Sequence, residues 1–324
     1  MTWVVEHVPA DDQNSVLHTA AAGHGTAWAF GIGVHGDPLH TLVFRRDEPG
    51  WRRIDVPVIG RANRAITLGP DEVWIVGDGT SMHGVGDDWR EVPTDSETQF
   101  FGLVAFGSEM WSAGYAAGRG TGAVQRWTGT EWTDQELPQV APMWSLSGLG
   151  GVAADDLWAV GAVHATDGPP VALHRDGAKW VSVPVPLPGN GDGRLNDVWA
   201  LASDDVWASG YWRRAGERGR LPLLVRWDGT TWSTTEVPAG TAQVRQLITT
   251  EDGLCAIGSA DDHTCVLRWD GAAWQPVPGP PTPAGAERCS LHGAAVLPDG
   301  RLLVVGASGI TSSDSAPYAA VQEL

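Results

Sequence analysis

Two histidines, two arginines and one arginine-rich loop are the side chains whose types and spacing could do chemistry in this chain. His18 and His292 would ionise near neutrality and could serve as general base or general acid. Arg64 and Arg245 could hold an anion while a proton moves. Such a set supports cofactor-independent acid–base chemistry of the cyclase, lyase or isomerase type. The loop reads Y-W-R-R-A-G-E-R-G-R-L-P and carries Arg213, Arg214, Arg218 and Arg220 directly after Tyr211 and Trp212. Arginine beside aromatic rings suits carboxylates, phosphates, sugars or peptides; the plainer use of the loop is a solvated ion pair to Glu217. Phe101, Trp144, Asn196, Asp197 and Trp199 complete the candidate ligand contacts.

Composition narrows the chemistry further. The chain has 324 residues and a formal charge of −18, from 21 basic and 39 acidic side chains, so nucleic acid and anionic membrane are unfavourable partners. No run approaches the ~18 apolar residues of a membrane-spanning helix. Lys179 is the one lysine, set in the turn R-D-G-A-K-W, so a Walker phosphate loop is absent and pyridoxal phosphate chemistry is excluded. Arg in place of Lys, with abundant Ala and Gly, points to a bacterial, GC-rich source. Three cysteines, Cys255, Cys265 and Cys289, make no disulfide framework. Cys255 and Cys265 could approach across a hairpin, although small buried thiols are the simpler reading. His18, His24, His35 and His40 cluster with Asp37, yet no H-x-H or H-x-x-x-H spacing fixes two of them on one ion, so no metal is expected. Gly31, Gly33 and Gly36 satisfy G-x-G-x-x-G without a following helix, which removes the dinucleotide reading. No cofactor is expected.

What must position these residues is a repeat. A short apolar run ending in glycine recurs seven times, at Gly31, Gly77, Gly114, Gly161, Gly210, Gly258 and Gly306. All steps but the short one from Gly77 to Gly114 are nearly equal, and their size is the period of a β-propeller. Each run is a second strand, b. A third strand, c, follows and turns at D-G or T-G into an outer strand, d, opened by tryptophan: V-R-W-D-G-T-T-W ending at Trp232 is the clearest copy. Pro57, Pro138, Pro186, Pro238 and Pro280 follow that tryptophan at one fixed distance, where an outer strand tolerates a missing N–H. The last repeat lacks its outer strand, and T-W-V-V-E-H-V-P at the N-terminus supplies one. Residues 2–8 are therefore expected to complete the last blade and close the ring. Structure starting at Thr2 leaves no room for a signal peptide.

The expected fold is all-β: a single seven-bladed β-propeller over residues 1–324, with four-stranded blades. The pattern resembles Trp-rich bacterial β-propellers with repeats of the type D-D-V-W-A-V-G … R-W-D-G-T-x-W, over the whole chain. It is also similar to WD40 repeats in its W-D pair, but the Gly-His signature before strand a is absent. The resemblance implies the fold and not an activity.

Fifteen of the 18 tryptophans fall on repeat positions, leaving Trp144, Trp199 and Trp212 off the template. The a–b turns are short and alike, and Asp155, Asp156, Asp204 and Asp205 in them are expected to bond nearby backbone N–H groups. His83 and His174 occupy the strand-c position of Arg126, Arg226 and Arg268 and read as scaffold. The b–c and d–a connections vary and emerge on the opposite face, the candidate functional face. Counting back 13 or 14 residues from each marker glycine gives the start of strand a, expected at the mouth. The positions reached are His18, Asn63 or Arg64, Phe101, Ser147, Asn196 or Asp197, Arg245 and His292. His18 and His292 lie on blades expected to adjoin and to bring them together. The first functional expectation is a monomeric, cytoplasmic binding propeller for an anionic or aromatic small molecule or peptide. The second is an enzyme of specialised metabolism using the His/Arg set. A lectin ranks third, because seven equivalent sugar sites would need similar b–c loops and these differ strongly.

Overall fold

The structure is a computed structural model that describes residues 2–9, 14–33, 40–47, 50–57, 60–94, 97–165, 168–260, 263–311 and 314–323. His35, Gly36 and Asp37 lie outside the described residues. Twenty-eight strands form seven four-stranded antiparallel sheets, and no helix occurs among the described residues. The fold is a seven-bladed β-propeller. No helix long and apolar enough to cross a membrane is found among the described residues.

Blade 1 contains β2 (Ser15–Gly23), β3 (Thr26–Gly33), β4 (His40–Asp47) and β5 (Gly50–Ile54); blade 2 contains β6 (Ala62–Gly69), β7 (Glu72–Gly77), β8 (Ser81–Val85) and β9 (Asp88–Glu91). Blade 3 contains β10 (Thr98–Phe106), β11 (Glu109–Ala116), β12 (Thr121–Trp127) and β13 (Trp132–Asp134); blade 4 contains β14 (Trp144–Ala153), β15 (Asp156–Val163), β16 (Pro170–Asp176) and β17 (Lys179–Ser182). Blade 5 contains β18 (Gly191–Ala202), β19 (Asp205–Arg214), β20 (Leu221–Trp227) and β21 (Trp232–Thr234); blade 6 contains β22 (Gln243–Thr250), β23 (Gly253–Ala260), β24 (His263–Trp269) and β25 (Trp274–Val277). Blade 7 contains β26 (Arg288–Val296), β27 (Leu302–Gly309) and β28 (Ala316–Gln322), and takes its outer strand from β1 (Trp3–Glu6). The pairing is antiparallel, Trp3 to Gln322 and Glu6 to Ala319, so the N-terminal strand completes the last blade as expected. By contacts the chain divides into two compact units, Met1–Val92 with Ile248–Leu324, and Pro93–Leu247.

In the second unit the tryptophans pack as the repeat requires. Trp158 is fully buried and meets Trp227 and Trp232, each with ring centroids 5.0 Å away. Arg175 of blade 4 lies 4.9 Å over Trp111 of blade 3. In the first unit Trp28 of blade 1 meets Trp89 of blade 2 edge-on at 5.7 Å. Burying rings of this size contributes several kcal/mol each, at about 25 cal/mol/Å² over ~150–250 Å².

Two of the a–b turn acids, Asp156 and Asp205, bind side chains and not the backbone N–H groups expected of them. Asp156 bonds His174 at 2.8 Å, and Asp205 bonds both Arg226 at 2.8 Å and Trp207 Nε1 at 2.9 Å. His174 in turn stacks on Trp158 at 4.2 Å, and His83 pairs with Glu72 at 2.9 Å while stacking on Trp74. The strand-c side chain thus bridges the strand-b tryptophan and the acid at or near the start of strand b, which accounts for His83 and His174 as scaffold. Asp228 and Asp270 perform the turn role instead, each accepting two backbone N–H groups in its W-D-G turn.

Strand a and the marker glycine form one device. In six blades the a–b register skips a residue, which bulges out: His18, Asn63, Phe101, Ser147, Asn196 and His292. The residue before each bulge is buried: Leu17, Ala62, Phe100, Leu146, Leu195 and Leu291 are at most 1% exposed. The backbone carbonyl two residues before each bulge is pushed against the marker glycine. A Cβ on Gly31, Gly77, Gly114, Gly161, Gly210 or Gly306 would overlap the oxygen of Val16, Arg61, Gln99, Ser145, Arg194 or Ser290. The glycine is there for space and not for a left-handed backbone.

Two outcomes test this. Gly161→Ala should cost ~1–3 kcal/mol by overpacking against a backbone atom that cannot swing away, read as a fall in the denaturant midpoint. Deleting residues 1–9 removes β1 and bares the buried edge of β28, so aggregation or a large fall in melting temperature is expected; a truncated protein of unchanged stability would overturn the pairing.

Candidate functional site

Because side chains alternate along a strand, the bulged residue and the residue two before it project to the same side. In the second unit this brings Gln99 and Phe101 of β10, Ser145 of β14 and Arg194 of β18 around one recess of about 350 Å³. Tyr115, just after the marker glycine of β11, and His164, just after β15, add to its wall with Met143. The recess therefore draws on blades 3, 4 and 5.

Its polar groups are tied to one another. Ser145 Oγ and His164 Nε2 are 2.9 Å apart, and Tyr115 meets the His164 ring edge-on at 5.9 Å. Arg194 Nη2 donates to Ser147 Oγ at 2.6 Å, joining strand a of blade 5 to the bulge of blade 4. Next to Arg194 in register is Tyr211, and Arg220 lies 4.4 Å over the Tyr211 ring. Desolvation, then the like charge of Arg220, lowers the pKa of Arg194 and also that of Arg245. Arg245 is nevertheless solvent-exposed, and an arginine so placed keeps its charge. Desolvation, then Arg194, lowers the His164 pKa.

The sequence candidates divide. Phe101 lines the recess. Trp144 does not: it is 2% exposed, packed over Gly122 in the core shared by blades 3 and 4. Trp212 is buried in the core of blades 4 and 5. Trp199 stands opposite Trp207 in register, past the bulge and outside the recess lining. Asp197 is 2% exposed and accepts the Leu247 N–H at 2.8 Å, while Asn196 donates to the Val244 carbonyl at 3.1 Å, so both tie β18 to β22. Arg213 is neutralised by Asp192 through two bonds of 3.0 and 2.6 Å, and Arg214 lies over Trp212 with Glu217 at 3.9 Å. In blade 2 the bulged residue is Asn63, bonded to Asp78 at 2.9 Å, and not Arg64. Gln99, Tyr115, Met143, Ser145, His164 and Arg194 escaped the sequence reading. The signal that finds four of them is alternation: two residues back from each bulge, and one past each marker glycine.

In the first unit His18 and His292 come together as expected, their rings stacked 5.7 Å apart at 13°. His292 Nε2 is 2.9 Å from Ser290 Oγ, beside a cavity of about 200 Å³ lined also by Arg288 and Thr311. Cys255, Cys265 and Cys289 are thiols, not joined in a disulfide. Burial raises the Cys255 pKa and pushes that of Cys289 up to about 12. Among the described residues no group of three or more His, Cys, Asp or Glu side chains could hold a metal ion.

Solved structures share this fold. YCF48 bound to D1 peptide superposes with a TM-score of 0.65 at 13% identity, covering 100% of this chain and 97% of that one. The extracellular domain of a hybrid two-component system from B. thetaiotaomicron superposes with a TM-score of 0.68 at 11% identity, covering 98% of this chain and 39% of that one. No family model matches the chain. No curated protein matches it by sequence.

His164 supplies the pH test. Its folded pKa lies below the unfolded value of about 6.5, so its contribution to stability is fully present above that value and is lost as pH falls toward the folded pKa. Titration of the ring by NMR should give a pKa below that of an unstructured histidine, and Arg194→Gln should raise it.

Proposed function

We propose that this chain is a binding propeller that takes a small molecule or a peptide segment in the recess of blades 3–5. The observation that carries the reading is the lining itself: aromatic walls from Phe101 and Tyr115 and a cation, Arg194, around about 350 Å³. That volume falls at the lower end of small-ligand sites, ~300–1,000 Å³. Aromatic rings hold the apolar body of a ligand, and the polar groups fix its orientation. Peptide binding by YCF48, which has the same fold, supports a peptide as one form of the ligand. Fragment screening by NMR should give hits that shift Gln99, Tyr115 and His164. The pair Phe101→Ala and Tyr115→Ala should weaken those hits about tenfold, ~1.4 kcal/mol, with the fold intact. Hits that ignore both substitutions would overturn the site.

A second reading is favoured by the stacked pair His18–His292 beside the cavity in the first unit. There one imidazole, neutral, would take a proton and the other, as an imidazolium, would return one. The pH–rate profile would then be bell-shaped, and His18→Ala or His292→Ala would cost on the order of 10²–10⁴ in rate. Turnover of small-molecule candidates, followed by mass, that persists fully in both variants would discard this mechanism.

A further inference from the structure

Three arginines in the second unit stand out by what surrounds them. The chain carries nearly two acids for every base, and three acids of blade 5 are already committed. Asp192 takes Arg213, Glu217 takes Arg214, and Asp197 takes the Leu247 N–H. Among the described residues no carboxylate ion pair reaches Arg194, Arg220 or Arg245.

Their donors are equally uncommitted. Arg194 gives one bond, to Ser147 Oγ, out of the five N–H groups a guanidinium carries. Arg220 is exposed, and its guanidinium lies 4.4 Å over the Tyr211 ring. Arg245 is solvent-exposed at the strand-a position equivalent to the bulges of the other blades. Their backbones are linked: Tyr211, beneath Arg220, stands opposite Arg194 in register, and Asn196, two residues past Arg194, bonds the carbonyl of Val244, the neighbour of Arg245. Three neighbouring positive charges without a counter-charge repel one another, and a single negative charge would leave two of them unbalanced. Beside Arg194, which lines the recess, Phe101, Tyr115 and Met143 offer an apolar wall.

We infer that the recess selects a dianionic ligand, an aryl or short apolar group bearing a phosphate monoester or two carboxylates, whose charge is held by Arg194, Arg220 and Arg245. The inference rests on the binding reading above and names the chemistry of the ligand. Arginine forks suit both oxyanions, because each presents paired oxygens to paired N–H donors.

The test uses four probes on the full chain: phenyl phosphate, phthalate, benzoate and benzamide. Affinity is measured by calorimetry at low and moderate salt, for wild type, Arg220→Gln, Arg245→Gln and the pair Phe101→Ala with Tyr115→Ala. At least one dianion should bind tenfold or more tighter than benzoate, and benzamide should bind most weakly. Salt should weaken the dianion, and either arginine variant should remove most of the preference while leaving the melting temperature in place. Phenyl phosphate alone would identify a phosphate ester as the group taken, and phthalate alone a dicarboxylate; both support the inference. Equal binding of all four probes, lost in the aromatic pair, would overturn the dianion inference and leave the recess standing. Dianion binding that needs the arginines but ignores Phe101 and Tyr115 would keep the charge site and overturn the recess. No binding of either dianion would overturn the inference.

Discussion

The contact between a marker glycine and a displaced carbonyl is the constraint on which the rest of this structure depends. One extra residue in strand a forces the backbone toward strand b, and only a hydrogen atom fits where the two meet. The extra residue is then turned outward while its predecessor stays buried in the core. Each blade thereby gains a variable side chain held on a rigid frame, free to be His, Asn, Phe or Ser. A bulge of this kind separates the demands of packing from those of binding. The same backbone also approaches the next blade closely: a Cβ on Gly148 would come within 2.8 Å of Asp197 Cα, and one on Gly293 within 2.7 Å of Thr19 Cα.

A second constraint is electrostatic. Three strand-c arginines are absorbed by the scaffold, each over a tryptophan and beside an acid: Arg45 with Trp28 and Asp71, Arg126 with Trp111 and Glu109, and Arg226 with Trp207 and Asp205. Single pairs of this exposure contribute little, at most about 1 kcal/mol. Their effect is organisational: each fixes a strand-b tryptophan against an acid of the same sheet or its neighbour. Arg194, Arg220 and Arg245 are held by no such carboxylate among the described residues, which sets them apart.

The fold was legible because its rules are periodic. Seven glycines at near-regular spacing, the tryptophan that opens strand d and the orphan strand at Trp3–Glu6 each report a local geometric need. The bulge positions were also legible, since a count of 13 or 14 residues back from the marker glycine reaches each of the six. Individual roles were less so. Trp144 and Trp212 departed from the template, which read as availability for a ligand, yet an off-template aromatic can equally fill an irregular gap; Trp144 covers Gly122, and Trp212 seals blade 5. Arg213 was indistinguishable in sequence from Arg220, because strand register alone decides that Asp192 faces the first and not the second. Ser145 and His164 are far apart in sequence and carry no motif, so their meeting across a hairpin end needed coordinates.

The sharing of blade 7 between two distant segments has a consequence for the timing of synthesis. Val5 pairs with Ala320, so the two partners stand at opposite ends of the chain. At about 5–20 residues per second a ribosome takes roughly 15–60 s to cover that distance. During that interval the segment containing Val4 and Val5 has no strand to join, while blades 1 to 6 can assemble from neighbouring sequence. The last sheet is thus the slowest pairing in the molecule, a long-range contact added to a nearly finished scaffold. The nascent chain would spend most of its synthesis time with that segment exposed, and this is when a holdase chaperone would have the most to grip.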